Sequence, residues 1–282
     1  MSARANPLCP LNFPRLDRRL GAILLLPILL ALTTLPALSQ SNLVANGSFE
    51  AGPLGQATFT SWGWLGPADS FSNYGVASAT GGFEVAQQGA NFAYFRGHPT
   101  DNSQDCLGTT LNLKVGGIYN ISYYLGTDGP LTNGAAMWVV IGPTFGIDLS
   151  VDQQLTAYFP HTNTALPYQK FSTNYIASET TPILSFHGIN ATNGVAVTNG
   201  ILLDNVSLVL TYPALHLAWS PPHSLIFTWP FTNSPYRLQA ATNVMATNWT
   251  TLTNIPVNVG TNNQTTLLTS TNRMLFYRLT LP

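Results

Sequence analysis

Short segments rich in β-branched and aromatic residues recur along the chain after Asn42, and glycine, proline, asparagine or aspartate bounds each of them. They include FAYFRG at 92–97, IYNISYYLG at 118–126, AMWVVIG at 136–142, PILSFHGI at 182–189 and ILLDNVSLVL at 201–210. Such residues suit the pleated, half-buried surface of a strand, and the bounding residues suit tight turns. Because amphipathic patterns of helix length do not occur between these segments, the sequence predicts an all-β protein.

The composition indicates a chain that buries a core and covers its surface mainly with uncharged polar groups. Of the 282 residues, 45% are hydrophobic and 11% aromatic, whereas only 7% are charged. A chain this rich in apolar residues can bury enough surface to fold. Lys and Arg total 10 against 11 Asp and Glu, and no basic stripe occurs, so nucleic acid is not an expected partner.

The first 39 residues have the three-part pattern of a secretory signal peptide. Three arginines between positions 15 and 19 precede an apolar run at 20–35, and the small residues Ala37 and Ser39 follow it. The run is short for a membrane span, which needs roughly 20 residues. We therefore predict cleavage after Ser39, a secreted or cell-surface chain, and no membrane span after cleavage. The alternative is an uncleaved membrane anchor.

A proline-containing stretch at 211–222 marks a predicted domain boundary. Residues 42–211 are long enough for a large roll of two sheets. Residues 212–282 contain SLIFTW at 224–229, YRLQAAT at 236–242 and MLFYRLTL at 274–281. Short strands at this spacing are typical of a small β-sandwich, so we predict one in the C-terminal part.

Several motifs, in this order, resemble those of the galactose-binding-like jelly rolls. They are NLVANGSFEAG, SWGW, LNLKVGGIYNISYYLG and ILLDNVSLVL, which together span 42–210. That family includes secreted carbohydrate-binding modules, so the resemblance implies a jelly-roll β-sandwich that binds a polysaccharide or cell-surface glycan. The C-terminal YRLQAATNVMATNWTTLTN and FYRLTLP resemble the small fibronectin/immunoglobulin-like modules of secreted bacterial proteins. Within NLVANGSFEAG, we predict a first strand at Leu43–Val44 and a turn at Asn46–Gly47.

The resemblance also implies a structural calcium site. In the resembled modules, a glutamate after the first Asn-Gly turn and an aspartate near the start of the last strand hold calcium together with backbone carbonyls. Glu50 and Asp204 match these positions, and the carbonyl of Ser48 would be a third ligand. Calcium takes six to eight hard oxygen ligands, a type that carboxylates and turn carbonyls provide. The alternative is that both carboxylates cap turns by accepting backbone N–H bonds.

Strand alternation places several aromatic and polar side chains opposite the apolar residues of their segments. The predicted glycan-binding set is Arg96, Tyr124, Trp138 and His187. Aromatic rings offer flat apolar platforms to sugar C–H groups, and Arg and His donate hydrogen bonds to hydroxyls. We predict that these four residues meet on one sheet surface. The alternative is that the aromatic residues pack in the core or under a long loop.

Catalysis has little support in the sequence. A glycosidase needs two carboxylates roughly 5–10 Å apart, and the acidic residues here occur mostly in turn-like contexts. Nucleophile-elbow, zinc-protease, phosphate-loop and dinucleotide motifs do not occur. The leading prediction is a non-catalytic glycan-binding protein; a structural or adhesive protein that contacts other proteins is the alternative, and a carbohydrate-active enzyme is third. Cys106 is expected to be a buried apolar thiol rather than a nucleophile. The oligomeric state is unknown.

Overall fold

The computed structural model describes residues 41–56, 59–65, 74–78, 86–95, 105–131, 135–145, 148–189, 199–230, 235–268 and 275–282. These residues belong to one compact unit and contain eighteen β-strands without a helix, so the prediction of an all-β sandwich fold is confirmed. The predicted signal peptide at 1–39 and the predicted site residue Arg96 lie outside the described residues. Within the described ranges, no helix is long and apolar enough to cross a membrane.

Two antiparallel sheets form the first sandwich. Its strands are β1 (Gly55–Gln56), β2 (Gly63–Leu65), β3 (Tyr74–Ser78), β4 (Asn91–Phe95), β5 (Asp105–Thr110), β6 (Ile118–Thr127), β7 (Ala136–Gly142), β8 (Gln153–Tyr158), β9 (Gln169–Ile176), β10 (Ile183–Ile189) and β11 (Ile201–Thr211). The six-stranded sheet has the order β1-β3-β4-β11-β6-β9, and the five-stranded sheet has the order β2-β5-β10-β7-β8. Strands distant in sequence are thus neighbours in space, as in double-sheet rolls.

Alternating side chains of β6, β7 and β10 fill the space between these two sheets. The inward-facing set is Tyr119, Ile121, Tyr123, Leu125, Met137, Val139, Ile141, Leu184 and Phe186, all of them buried. The rings of Tyr123 and Phe186 meet edge-on across the core, with centroids 5.2 Å apart. Since burial of one large apolar side chain stabilises the fold by about 1.5–3 kcal/mol, the alternation fixes which face of each strand points inward.

A smaller sandwich follows. Its strands are β12 (His216–Ser220), β13 (Ser224–Pro230), β14 (Arg237–Ala241), β15 (Thr250–Thr251), β16 (Val257–Val259), β17 (Asn262–Leu268) and β18 (Phe276–Thr280). One sheet has the order β12-β13-β17-β16, and the other has the order β15-β14-β18. Its core contains Phe227, Trp229, Tyr236, Leu238 and Leu279. The resemblance to fibronectin/immunoglobulin-like modules stays a prediction.

The second sandwich contacts the end of β11 directly. The hydroxyl of Tyr236 donates to the carbonyl of Thr211 over 3.0 Å. Leu210 packs against the cores of both sandwiches, and Ile118 packs against the second. Apolar packing and a partly buried hydrogen bond therefore connect the two sandwiches.

The strand predictions succeed within the sheets and fail at the first strand. The five segments quoted above overlap β4, β6, β7, β10 and β11. The strand predicted at Leu43–Val44 is wrong, because these residues form a bend and the first strand is Gly55–Gln56. The Leu43 N–H does donate to Leu208 O. The side-chain amide of Asn42, however, donates to Val206 O and accepts from Leu208 N–H. These side-chain hydrogen bonds take the place of the next backbone–backbone pair of a strand.

Candidate functional site

The segment that carries the NLVANGSFEAG motif lies against β11 and turns sharply there. Asn46 and Phe49 have φ values of 50° and 57°, in the left-handed region. The turn predicted at Asn46–Gly47 is confirmed, and Val206 N–H donates to Gly47 O over 2.7 Å. The buried Trp62 contacts the turn from the core side. Its Nε1 donates to Asn46 O at 3.2 Å, and its ring centroid lies 5.6 Å from that of Phe49. The turn is thus held by both backbone and core contacts.

Glu50 and Asp204 bind the same loop from two sides. Glu50 Oε1 accepts the backbone N–H groups of Ala90 and Asn91, both at 2.8 Å. Asp204 Oδ2 accepts the N–H of Gln88 at 2.9 Å, and its Oδ1 accepts that of Asn205 at 2.6 Å. Charged acceptors make stronger hydrogen bonds than neutral ones. The two carboxylates therefore cap the loop that leads into β4, as the capping alternative predicts.

A glycine makes the approach of Glu50 possible. Gly89 has a φ of +69°, and a Cβ at this position would lie under 3.0 Å from the Glu50 carboxylate. A side chain at position 89 would therefore be strained by its backbone conformation and would displace the carboxylate. The resemblance implies that the 88–91 loop adjoins this site, and the structure adds the steric role of Gly89 within it.

The electrostatics of the two carboxylates differ. Glu50 is exposed, whereas Asp204 has no exposed surface. The pKa of Asp204 is raised to about 7, mainly by burial and in smaller part by the charge of Glu50, against the lowering effect of its backbone hydrogen bonds. The folded protein therefore disfavours the charged form of Asp204, and a nearby cation would stabilise it.

The donor set is of the type that calcium accepts. Glu50 and Asp204 supply two carboxylates that act on each other electrostatically, and Ser48 lies in the adjoining turn. A cation near both carboxylates would oppose the pKa rise of Asp204. Among the described residues, no group of three or more His, Cys, Asp or Glu side chains is placed to hold a metal. A calcium ion here would thus depend on backbone carbonyls for the rest of its ligands.

A second feature is the outer face of the five-stranded sheet. His187 on β10 is the register partner of Cys106 on β5 and of Trp138 on β7. These three side chains face away from the core, because their neighbours Leu107, Met137 and Phe186 point into it. Cys106 is buried, as expected of an apolar thiol, and Trp138 is half-buried. The indole Nε1 of Trp138 is inaccessible to solvent, and it has no hydrogen-bond partner among the described residues.

His187 is almost completely buried on this face. Its Nε2 lies 2.9 Å from Ser185 Oγ and 3.5 Å from Cys106 Sγ. Burial lowers the pKa of His187 to about 4, and the charge of Asp152 only partly opposes this. The imidazole is therefore neutral at pH 7, and its hydrogen bond to Ser185 is internal to the protein.

The predicted glycan-binding residues do not share one surface. Tyr124 lies on β6 of the six-stranded sheet, beside Lys170, whose Nζ is 5.9 Å from the ring centroid. Trp138 and His187 lie on the five-stranded sheet. The expectation of a single surface is thus wrong for Tyr124, because alternation assigns a residue to one face of its strand without deciding which sheet the strand joins. His187 is 1% exposed, so it has almost no surface to offer a ligand.

An open groove of about 560 Å³ lies at one end of this outer face. Its lining is Ser61, Trp62, Gly63, Gly108, Thr109, Thr110, Phe145 and Ile183. Gly63 and Gly108 are register partners on β2 and β5. A Cβ on Gly108 would lie under 3.0 Å from the ring of Phe145, so this ring rests directly on the glycine backbone. None of these described lining residues carries a charge.

Sequence reasoning missed this groove. Glycine inside a strand marks a place where another group approaches the backbone closely. Gly63 in SWGWLG and Gly108 in DCLGTT are such glycines. The sequence does not reveal, however, that β2 and β5 are neighbours or that Phe145 returns to cover them.

Several solved structures are similar to this chain at low sequence identity. A family 61 carbohydrate-binding module in complex with β-1,4-galactotriose is 17% identical with a TM-score of 0.43, and the match covers 61% of this chain and 99% of that one. The K1 cleaved adhesin domain of Lys-gingipain from Porphyromonas gingivalis is 16% identical with a TM-score of 0.43, over 58% and 96% of the two chains. A family 16 carbohydrate-binding module is 16% identical with a TM-score of 0.37, over 60% and 99%. No protein-family model matches the sequence, and no curated protein matches it significantly.

Proposed function

We propose that this chain is an exported, non-catalytic protein whose first sandwich binds a neutral polysaccharide or cell-surface glycan. The observation that carries the proposal is the uncharged groove on the outer face of the five-stranded sheet. Its volume lies within the range of about 300–1,000 Å³ that is usual for small-ligand sites. The signal-peptide pattern at 1–39 supports the extracellular or cell-surface location.

The groove has the two kinds of group that a sugar ring needs. Phe145 supplies an aromatic surface for C–H groups, and Ile183 adds apolar contact. Thr110 and Ser61 supply hydroxyl and backbone groups that can exchange hydrogen bonds with sugar hydroxyls. Because Gly108 has no side chain, the Phe145 ring lies directly on the backbone there and offers its aromatic surface to the groove.

The absence of acid–base groups in the groove supports binding rather than hydrolysis. Its described lining contains no carboxylate, and a glycosidase uses two. The nearby Asp152 accepts hydrogen bonds from Thr144 and from the backbone N–H of Asp148. Its carboxylate is thus occupied in fixing the loop that follows β7.

Calcium is the second part of the proposal. Glu50, Asp204 and the carbonyl of Ser48 would hold the ion. The ion would stabilise the contacts of residues 42–52 with the 87–91 loop and with β11. The support is the meeting of two carboxylates at one loop together with the raised pKa of Asp204.

Replacing Gly108 with alanine should abolish glycan binding and leave the fold intact. The new Cβ must displace the Phe145 ring, which is a side chain and can swing aside at a cost of about 1–3 kcal/mol. Gly63→Ala is the matched variant within the groove. It adds the same methyl group to the lining, but with no neighbour closer than 3.8 Å it leaves the Phe145 ring in place, so it should keep most of the binding. A glycan array, followed by titration of any hit with wild type and both variants, measures the effect.

Equal binding by wild type and the Gly108→Ala variant would exclude this groove as the site. An array without any hit, combined with concentration-dependent self-association, would instead support the structural or adhesive class.

A further inference from the structure

A second cavity, of about 380 Å³, lies in the C-terminal sandwich. One wall is the start of β14, and the other is the segment that follows β15. The backbone N–H of Leu252 donates to Leu238 O, and beyond that bond the chain from Thr253 to Pro256 forms the opposite wall of the cavity. The full lining is Pro235, Tyr236, Arg237, Leu238, Leu252, Thr253, Asn254, Ile255, Pro256 and Asn263. The cavity therefore forms where two segments stop pairing.

Polar groups lie at the base of this cavity, where a core residue would be expected. Asn263 on β17 points inward and is only 9% exposed. No hydrogen bond of its side-chain amide occurs within the described part of the chain. Trp229 is its register partner on β13, and Thr265 follows it on the same face of β17. The Trp229 Nε1 and the Thr265 Oγ1 lie beside Asn263 but outside the cavity lining, and both are buried without a hydrogen-bond partner in the described part of the chain.

Two fully buried polar atoms without partners beside a third polar side chain are unusual, because buried polar groups are nearly always hydrogen-bonded. An apolar residue at each position would avoid the desolvation cost. A ligand that hydrogen-bonds to Asn263 would offset that cost at the point where the cavity reaches the base. The arrangement therefore resembles a binding pocket more than a core defect.

The lining defines the class of ligand. Leu238, Leu252 and Pro256 give the cavity apolar walls, and Asn263 provides both a donor and an acceptor at the base. Arg237 is the single charged residue among the described lining residues, and it is exposed. Such a site suits a compact, neutral molecule with both C–H and hydroxyl groups. We propose that the C-terminal sandwich binds one neutral sugar ring in this cavity, independently of the groove in the first sandwich.

The chain offers matched control variants on β17. Asn262 and Asn263 are adjacent asparagines on opposite faces of the strand, and Thr265 and Thr266 are adjacent threonines with the same relation. Asn263→Leu and Thr265→Val alter the inward face. Asn262→Leu and Thr266→Val make the same chemical changes on the outward face.

The experiment is saturation-transfer NMR on the full chain with methyl glycosides of glucose, galactose, mannose and xylose. At least one glycoside should bind wild type at millimolar concentration. Asn263→Leu should weaken that binding by about tenfold or more, whereas Thr265→Val, whose hydroxyl lies outside the cavity lining, and both outward variants should stay within about twofold of wild type. Tetrasaccharides of the same sugar show whether the bound ring belongs to a glycan chain or to a free monosaccharide. Tighter binding than the methyl glycoside indicates the end of a chain, and equal or weaker binding indicates a free monosaccharide.

The proposal is overturned if no glycoside binds, if Asn263→Leu and Asn262→Leu weaken binding equally, or if galacturonate binds while the neutral glycosides do not. Melting curves of each variant show whether it is folded. Asn263→Ser, with Asn262→Ser as its control, removes the amide through a smaller side chain and decides the question if Asn263→Leu does not fold. The Gly108→Ala variant should bind in this cavity as wild type does, so loss of the groove and loss of the cavity are separable outcomes.

Discussion

Replacing Gly47 with alanine should destabilise the protein by about 3–5 kcal/mol, a large part of the 5–15 kcal/mol that holds a typical domain folded. A Cβ at position 47 would lie under 3.0 Å from the backbone carbonyl oxygen of Val206, which cannot move aside as a flexible side chain can. The methyl group would therefore break the hydrogen bond from Val206 N–H to Gly47 O and separate the turn from β11.

Urea unfolding of wild type and the Gly47→Ala variant measures this effect as a shift in midpoint at unchanged slope. Gly63→Ala is the control, since its Cβ would have no neighbour within 3.8 Å and glycine-to-alanine changes in an unstrained strand are nearly neutral or stabilising. A loss below about 1 kcal/mol at position 47 would contradict the close packing of this turn on β11.

The strands of the sandwich core could be predicted because each has one fully buried face. In β6, every second residue from Tyr119 to Leu125 is buried in the core. A period of two over eight or more residues has few explanations besides a strand with one face inward. The period of two does not reveal the order of the strands in the sheets. The sequence therefore predicts one shared surface for Tyr124 and Trp138, although they belong to different sheets.

The pairing of Glu50 with Asp204 depended on the resemblance, and the structure adds what they bind. Both carboxylates accept N–H groups from the loop between Gln88 and Asn91. No local pattern in the sequence connects that loop with either acidic residue, because its bonding groups are backbone atoms that every residue has. Gly89 is the exception, since its missing side chain leaves room for the Glu50 carboxylate.

Without calcium, the stability of wild type should change little between pH 4 and 6.5, because two buried groups oppose each other. The folded-state pKa of Asp204 is about 7 against an ordinary value of 3.8. Asp204 therefore adds to the free energy of unfolding. This stabilisation is fully present below pH 3.8 and is lost as the pH rises toward 7. The folded-state pKa of His187 is about 4 against 6.5, so its contribution is fully present above pH 6.5 and is lost as pH falls toward 4.

Each group alone should change the free energy of unfolding by about 1.4 kcal/mol per pH unit across its window. Asp204→Asn should therefore give a stability that rises with pH between 4 and 6.5, and His187→Gln should give one that falls over the same range. Unfolding by urea at half-unit pH intervals measures both slopes. The lowered pKa of Asp148 acts only below 3.8 and leaves this window unchanged.

With calcium bound, the stability of wild type should rise with pH between 4 and 6.5 instead of staying nearly constant. The ion binds the ionised form of Asp204, so saturating calcium removes the decrease in unfolding free energy with pH that Asp204 causes. The increase with pH that His187 causes then remains. At a hundred times its Kd, calcium should also add about 2.7 kcal/mol at pH 7 by mass action. EDTA should restore the flat profile and lower the melting temperature, and Glu50→Ala should abolish both effects.

The two halves of this prediction fail separately. Identical melting curves in calcium and in EDTA at pH 7 would remove the calcium site and leave the opposed slopes of Asp204 and His187 intact. A wild-type stability that rises steadily from pH 4 to 6.5 in EDTA would instead show that Asp204 is already ionised in the folded protein. The hydrogen bonds from Gln88 and Asn205 would then outweigh the effect of burial, and the carboxylate would need no cation to keep its charge.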